Sequence, residues 1–347
     1  MYLRMVFPGR WLIDISGQMR TDIRKRIFNI HNENDFLETA LELFKYQYDN
    51  NIVYQAFIKA LGKTPDLINT LENIPFLPVE FFRNHNVVTG DFPPEKIFQS
   101  SGTTGVIPGK HYVYDLSLYE ESFIKTFNLF YGDPKGYLII ALLPSYIERD
   151  GSSLVYMADK LIKLSLNPNS GFYKANDENL IEKIKKLKSN NQKILLLGVS
   201  FALLDLAEKF TSGLSGVIVM ETGGMKGRRK ELIRSELHAV LKEKFNVPAI
   251  HSEYGMTELM SQAYSKRDGI FYSPPWMKVL LRDPQDPLSI YSLTNRTGGI
   301  NIIDLANINS CSFISTGDLG RTHADGGFEV LGRFDNSDVR GCNLMAE

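Results

Sequence analysis

Apolar residues recur at helical spacing through Phe36, Leu37, Leu41, Phe44 and Tyr48, and Asp35-x-x-Glu38 resembles a capping box opening that helix. "IPFLPVEFFRNHNVV" (74–88) is an apolar connector with two prolines, leading to a short strand, "KIFQ" (96–99). "KHYVYD" (110–115) alternates like a strand, and Leu116, Tyr119, Phe123, Phe127 and Phe130 then fit a helix. From residue 136 the rhythm changes. "GYLIIALLP" (136–144), "KILLLG" (193–198) and "GVIVM" (216–220) are continuous apolar runs that read as buried strands, and "VPAIHS" (247–252) as a further one. Between them lie helical faces: Leu154, Met157, Ala158, Leu161 and Leu164; Leu180, Ile181, Ile184 and Leu187; a helix capped by Ser200 and running through Leu206; and "KELIRSELHAVLKEKF" (230–245).

Strand–helix alternation of this kind predicts an α/β fold with mostly parallel sheets covered by helices on both faces. Ligands of such sheets sit beyond the carboxyl ends of the strands. Four loops qualify: "PSYIERDG" (144–151), "GVS" (198–200), "ETGGMKGR" (221–228) and "HSEYGMTE" (251–258). After residue 270 helical periodicity fades into short, turn-rich strands, so a smaller β subdomain is expected over about 270–333.

Composition narrows the class. The 347 residues suffice for a sizeable core, and a formal net charge of −1 gives no reason to expect nucleic acid as a partner. Two cysteines, Cys311 and Cys342, cannot build a disulfide framework, which points to the cytoplasm. No apolar run reaches the roughly 18–20 residues that cross a bilayer, so no membrane insertion is expected. Residues 1–20 make a poor signal peptide and read as a loosely attached leader, with 21–333 as the main domain and 334–347 as a short tail.

The chemistry starts at "QSSGTTGVIPGK" (99–110). A Walker A loop needs G-x-x-x-x-G-K-[ST]. Counting back from Gly109-Lys110 puts Thr104 where the first glycine should stand, and His111 falls where the hydroxyl should follow. The segment after the lysine also reads as strand, so that motif is rejected. The ingredients of anion binding remain: hydroxyls of Ser100, Ser101, Thr103 and Thr104, close backbone approach at Gly102, Gly105 and Gly109, and the charge of Lys110. A plain polar turn between two strands is the alternative.

The loop is followed in order by "YGMTE" (254–258), "STGDLGR" (315–321) and "GRFD" (332–335). This set resembles the adenylate-forming superfamily of acyl-CoA synthetases, adenylation domains and firefly luciferase, over roughly residues 21–341. "DFLETALELFKYQYDNN", "FLPVEFFRNH" and "IFQSSGTTG" make the chain most similar to the acyl-protein synthetases of bacterial luciferase operons. The resemblance implies ATP and Mg²⁺ as cofactors and a carboxylic acid, of fatty type, as substrate. It implies that Ser100, Ser101, Gly102, Thr103, Thr104 and Gly105 with Lys110 wrap the β- and γ-phosphates. Thr257 would touch the α-phosphate, and Glu258 would hold Mg²⁺, a hard cation suited to carboxylate oxygen. Tyr254, next to Gly255, would stack on adenine, Gly223 and Gly224 would line the adenine and acyl pocket, and Asp318 and Arg333 would hold the ribose. No Ser/His/Asp, Cys/His or HExxH signature is present, and none is needed, because a carboxylate is already ionised at neutral pH.

Most members of that superfamily continue past the hinge into a mobile domain with a catalytic lysine. The sequence ends at Glu347, so the expectation is a protein lacking most of that domain, with the lysine's work falling to Lys110, Lys226, Arg228 or a partner. Cys342 is a candidate thioester acceptor, or else a tail residue without chemistry, whereas Cys311 in its apolar run reads as structural. Three functional readings follow: acyl transfer to a protein thiol or carrier, acyl transfer to coenzyme A, and a non-catalytic nucleotide or acyl-binding module.

Overall fold

The continuous apolar runs become interior strands in the computed structural model, which describes residues 15–100, 107–143, 151–175, 177–188, 192–209, 214–223, 232–291 and 295–334. Three short strands come first: β1 (Leu77–Pro78), β2 (Lys96–Gln99) and β3 (Lys110–Val113). A six-stranded sheet follows, made of β4 (Tyr137–Leu142), β5 (Gly171–Phe172), β6 (Lys193–Val199), β7 (Val217–Thr222), β8 (His251–Tyr254) and β9 (Ala263–Ser265). Its order is β5-β4-β6-β7-β8-β9, parallel throughout except for β9 at the edge. Every residue of β4 is buried, and all of β6 after Lys193, as expected for strands sandwiched between helices.

The second sheet contains β10 (Ile270–Phe271), β11 (Met277–Arg282), β12 (Thr297–Asp304), β13 (Phe313–Thr322) and β14 (Phe328–Arg333), in the order β10-β14-β13-β12-β11. It is not built from residues 270–333 alone. The β1 strand lies parallel to β13, pairing Leu77 with Ile314 and Pro78 with Ser315. The N-terminal helices are bound to the same region. Gln47 Nε2 donates to the carbonyls of Asn307 (2.9 Å) and Ile308 (3.0 Å), and Asn51 Nδ2 donates to that of Ser310 (3.0 Å).

Several local expectations are corrected. The helix Glu33–Asn50 is capped by Asn32, whose side chain accepts from the Asp35 amide, while the Asp35 carboxylate accepts from the His31 amide. Asp35 is thus the second member of a reciprocal cap that begins three residues earlier. Ser200 is the first residue of the helix Ser200–Ala207, not its cap, and its hydroxyl donates to the Gly223 carbonyl instead (2.9 Å). The strand expected at 247–252 pairs only over His251–Tyr254. Val247 instead donates its amide to Lys242 O, closing the preceding helix, and Pro248 has no amide to offer a ladder. The helix Ile15–Ile27 crosses the boundary expected at residue 20, and its Ile23 and Ile27 are fully buried. No helix among the described residues is long and apolar enough to cross a membrane.

Candidate active site

The β2 and β3 strands form the two arms of an antiparallel hairpin with Gln99 opposite Lys110, so the described ends of the predicted phosphate loop stand side by side. Its base is fastened twice: Ser100 N donates to Gly109 O (2.9 Å), and Gly109 N donates to Ser100 Oγ (2.8 Å). Lys110 is exposed beside this clasp. Ser101, Gly102, Thr103, Thr104 and Gly105 lie outside the described residues, as do Gly224, Lys226, Arg228 and Cys342.

The turn after β8 reaches the loop from the other side. A Cβ placed on Gly109 would stand 2.7 Å from Glu258 Oε1, so the carboxylate rests on the glycine that ends the loop. Only a residue without a side chain permits that approach. Glu258 is 6% exposed, and burial raises its pKa to about 7, partly opposed by the charges of Arg333 and Arg83. Arg83 comes from the "FLPVEFFRNH" connector, and the neighbouring Phe82 packs edge-on against His111.

Asp318 on β13 forms the third side. It faces Arg333 across the β13–β14 ladder, and Arg333 Nε reaches its Oδ1 at 3.4 Å from an exposed position. Tyr254 donates its hydroxyl to Asp318 Oδ2 (2.8 Å), and burial beside that carboxylate raises the phenol's pKa. The Tyr254 ring is buried and meets Phe271 and Phe328 edge-on, at 5.9 and 5.7 Å between centroids. Gly223 adopts φ 65° just past the carboxyl end of β7, beside the end of β8. Gly255 is exposed; a Cβ there would meet Glu253 Oε1 at 2.5 Å. Thr257 is half-buried. The structure thus brings together Ser100, Gly109, Glu258, Tyr254, Asp318 and Arg333, which are scattered over more than two hundred positions of sequence.

Behind this front runs a buried polar layer that sequence reasoning missed. His111 Nδ1 lies 2.8 Å from Thr257 O and its Nε2 lies 3.0 Å from Asn307 Oδ1, while Asn307 Nδ2 donates to Glu258 O (2.8 Å). Burial holds the His111 imidazole down at about 4, opposed by its contacts with Thr257 O and Asn307. Asp304 accepts from Met260 N, Ser261 N, Ser261 Oγ and Ala306 N. Glu253 is buried, accepts from Thr222 Oγ1, and is raised to about 7 by burial, with the Glu221 charge adding to the shift. The one available signal was His111 itself, standing where a phosphate loop of the commoner kind would carry a hydroxyl. Cys311 is buried and its thiol is pushed up to about 12, a structural residue as expected.

Among the described residues no group of three or more His, Cys, Asp or Glu side chains could hold a metal by itself. The donor set around Gly109 supplies one carboxylate, Glu258. That fits Mg²⁺, which keeps several waters and is commonly held by one or two carboxylates together with substrate phosphates.

No family model and no curated protein matches the chain. Solved structures do. An ATP-bound RpMatB–BxBclM chimera superposes with a TM-score of 0.52 at 17% identity, over 70% of this chain and 49% of that one. ATP-bound MatB from Rhodopseudomonas palustris gives 0.51 at 18% identity, over 68% and 47%. The chain spans about half the length of both. The fold is the α/β arrangement expected from the sequence, and these two structures share it over about two thirds of the chain.

Proposed function

We propose that the protein activates a carboxylic acid with ATP, forming an acyl-adenylate and releasing pyrophosphate. The observation that carries this reading is the meeting of the hairpin clasp, Glu258 and the Asp318–Arg333 pair at the carboxyl edge of the β4–β9 sheet. ATP-bound MatB, with the same fold, supports the choice of nucleotide.

The β2–β3 hairpin, with Lys110 at its end, would grip the β- and γ-phosphates. Glu258 would hold Mg²⁺, which when bound offsets the charge of the phosphates. Asp318 accepts from Arg333 only over a long 3.4 Å contact with an exposed side chain, so a ribose hydroxyl can take that place at small cost. Thr257 would face the α-phosphate, and Tyr254 would border the adenine. The substrate carboxylate oxygen attacks the α-phosphorus, the bond to the β-phosphate oxygen breaks, and pyrophosphate leaves. Neither proton transfer nor a nucleophilic side chain is required, so catalysis rests on positioning and charge neutralisation.

For the second half-reaction the reading is transfer to a protein thiol. The sulfur attacks the acyl carbonyl, its proton passes to solvent, and AMP leaves. The likeness of "FLPVEFFRNH" to acyl-protein synthetases supports this choice, and in this chain that segment supplies Phe82 and Arg83 to the site.

ATP–pyrophosphate exchange, run with Mg²⁺ across short, long and aromatic acids, tests the first step. Exchange dependent on one class of acid is expected, and none with any acid would sink the reading. Labelled acyl groups should then follow a protein fraction after denaturation; labelled coenzyme A thioester instead would replace the protein acceptor.

A further inference from the structure

We infer that His111 and Asn307 are positioning residues that fix Glu258 over the phosphate hairpin; the assignment rests on the adenylation reading above. The two side chains take the consecutive carbonyls of Thr257 and Glu258 from behind, at 2.8 Å each. They are 1% and 2% exposed, too deep to touch a nucleotide. Asp304 holds the next two available amides, Met260 N and Ser261 N. The backbone of the turn is thereby pinned on its inner side, leaving the Glu258 carboxylate to face the hairpin.

The same histidine belongs to the hairpin. His111 lies in β3, two residues after Gly109, the glycine against which the carboxylate rests. One rigid strand therefore carries both the floor under Glu258 and the ring that holds the Glu258 turn. Asn307 completes the link. It contacts His111 Nε2, donates to Glu258 O, and is itself anchored from a third direction, since its carbonyl accepts from Gln47 Nε2 and its amide donates to Asp304 O. Moving the turn away from the hairpin would break buried hydrogen bonds with no water to replace them. The carboxylate is thus set at its working distance before any nucleotide arrives, which is where such supporting residues act on metal affinity.

A residue that merely stabilised the fold would lower the melting temperature and leave the metal requirement of the folded fraction alone. His111→Phe keeps a ring but offers no donor. It should raise the Mg²⁺ concentration needed both for ATP binding followed by calorimetry and for half-maximal ATP–pyrophosphate exchange by about tenfold or more, and lower the maximal rate per folded molecule by about 10–100-fold. His111→Asn, which keeps an amide donor for Thr257 O, should recover part of both. Asn307→Ala leaves room for water at the Glu258 carbonyl and carries the same expectation should His111→Phe not fold. An unshifted Mg²⁺ requirement in either folded variant, with the wild type active, overturns this assignment alone. A wild type without exchange for any acid overturns the adenylation reading and this assignment with it.

Discussion

The two large sheets bury very different material. In the parallel sheet the inner strands are almost wholly aliphatic: Leu138, Ile139, Ile140, Leu195 and Leu196 are all at or below 1% exposure. In the β12–β13 region the equally buried positions include Asn301, Asp304, Asn307, Ser310, Ser312 and Thr316, with Arg282 beside them. Arg282 donates to the carbonyls of Ile300 and Thr316 and to Asn301 Oδ1, and it lies over the Phe334 ring at 5.3 Å. The first sheet is a support held by burial of apolar surface, which is non-directional. The second is a fixture, whose directional bonds hold the 257–261 turn and the strand that bears Asp318 in place.

The contrast can be broken by comparing Asp304→Ala with Leu196→Ala. Leu196→Ala should cost about 2–5 kcal/mol while preserving exchange per folded molecule. Asp304→Ala strands four donors and should cost about 4 kcal/mol or more, with exchange lost as well. Urea unfolding beside the exchange assay separates the two; equal retention of activity would erase the distinction. Next in size, Glu258→Gln should reduce Mg²⁺-dependent exchange about a hundredfold. Its thermal stability should not fall, because the amide removes a carboxylate that burial disfavours. Asp318→Ala should raise the KM for ATP about tenfold with little change in kcat, as one charge-assisted contact to ribose is removed.

The smallest effect concerns Glu253. Its folded pKa of about 7 exceeds the ordinary 4.5, so the native state holds this proton more tightly than the unfolded chain. That contribution is complete below pH 4.5 and is lost as pH rises through 7. Glu253→Gln does not titrate, so its melting temperature should match the wild type near pH 4 and exceed it by roughly 2–4 °C at pH 8. A constant difference across that range would show that the Glu253 carboxylate is not held neutral by burial.

How far the sequence could be read follows the same division. The β4, β6 and β7 strands were legible because an unbroken run as short as "YLIIALL", bounded by Gly136 and Pro144, fits a buried strand better than a helix. Tyr254, Glu258, Asp318 and Arg333 were legible as ordered motifs; in the fold Glu258 rests on Gly109 of the hairpin, and Tyr254 and Arg333 meet at Asp318. His111, Asp304 and Asn307 were not, because a polar residue reads as surface unless its partner is known, and here the partners are distant. His111 and Asn307 are 196 positions apart, and Gln47 and Asn307 are 260 apart. The shift of β8 from 247–252 to His251–Tyr254 has a local cause: Val247 and Asn246 finish a helix through bonds that an apolar count does not register.

The pairing of β1 with β13 also fixes an order of events. A ribosome delivers Gln47, Asn51 and Leu77 long before Asn307, Ser310 and Ile314, their partners in the finished fold. The strands of the parallel sheet, from Tyr137 to Ser265, are all made in the interval, and their pairings with one another lie within that span. The early helices must therefore wait, with their inner faces unpaired, and dock against a sheet completed after them. The Glu258 turn is buttressed only once Asn307 has emerged, so the candidate site is ordered after the parallel sheet is complete.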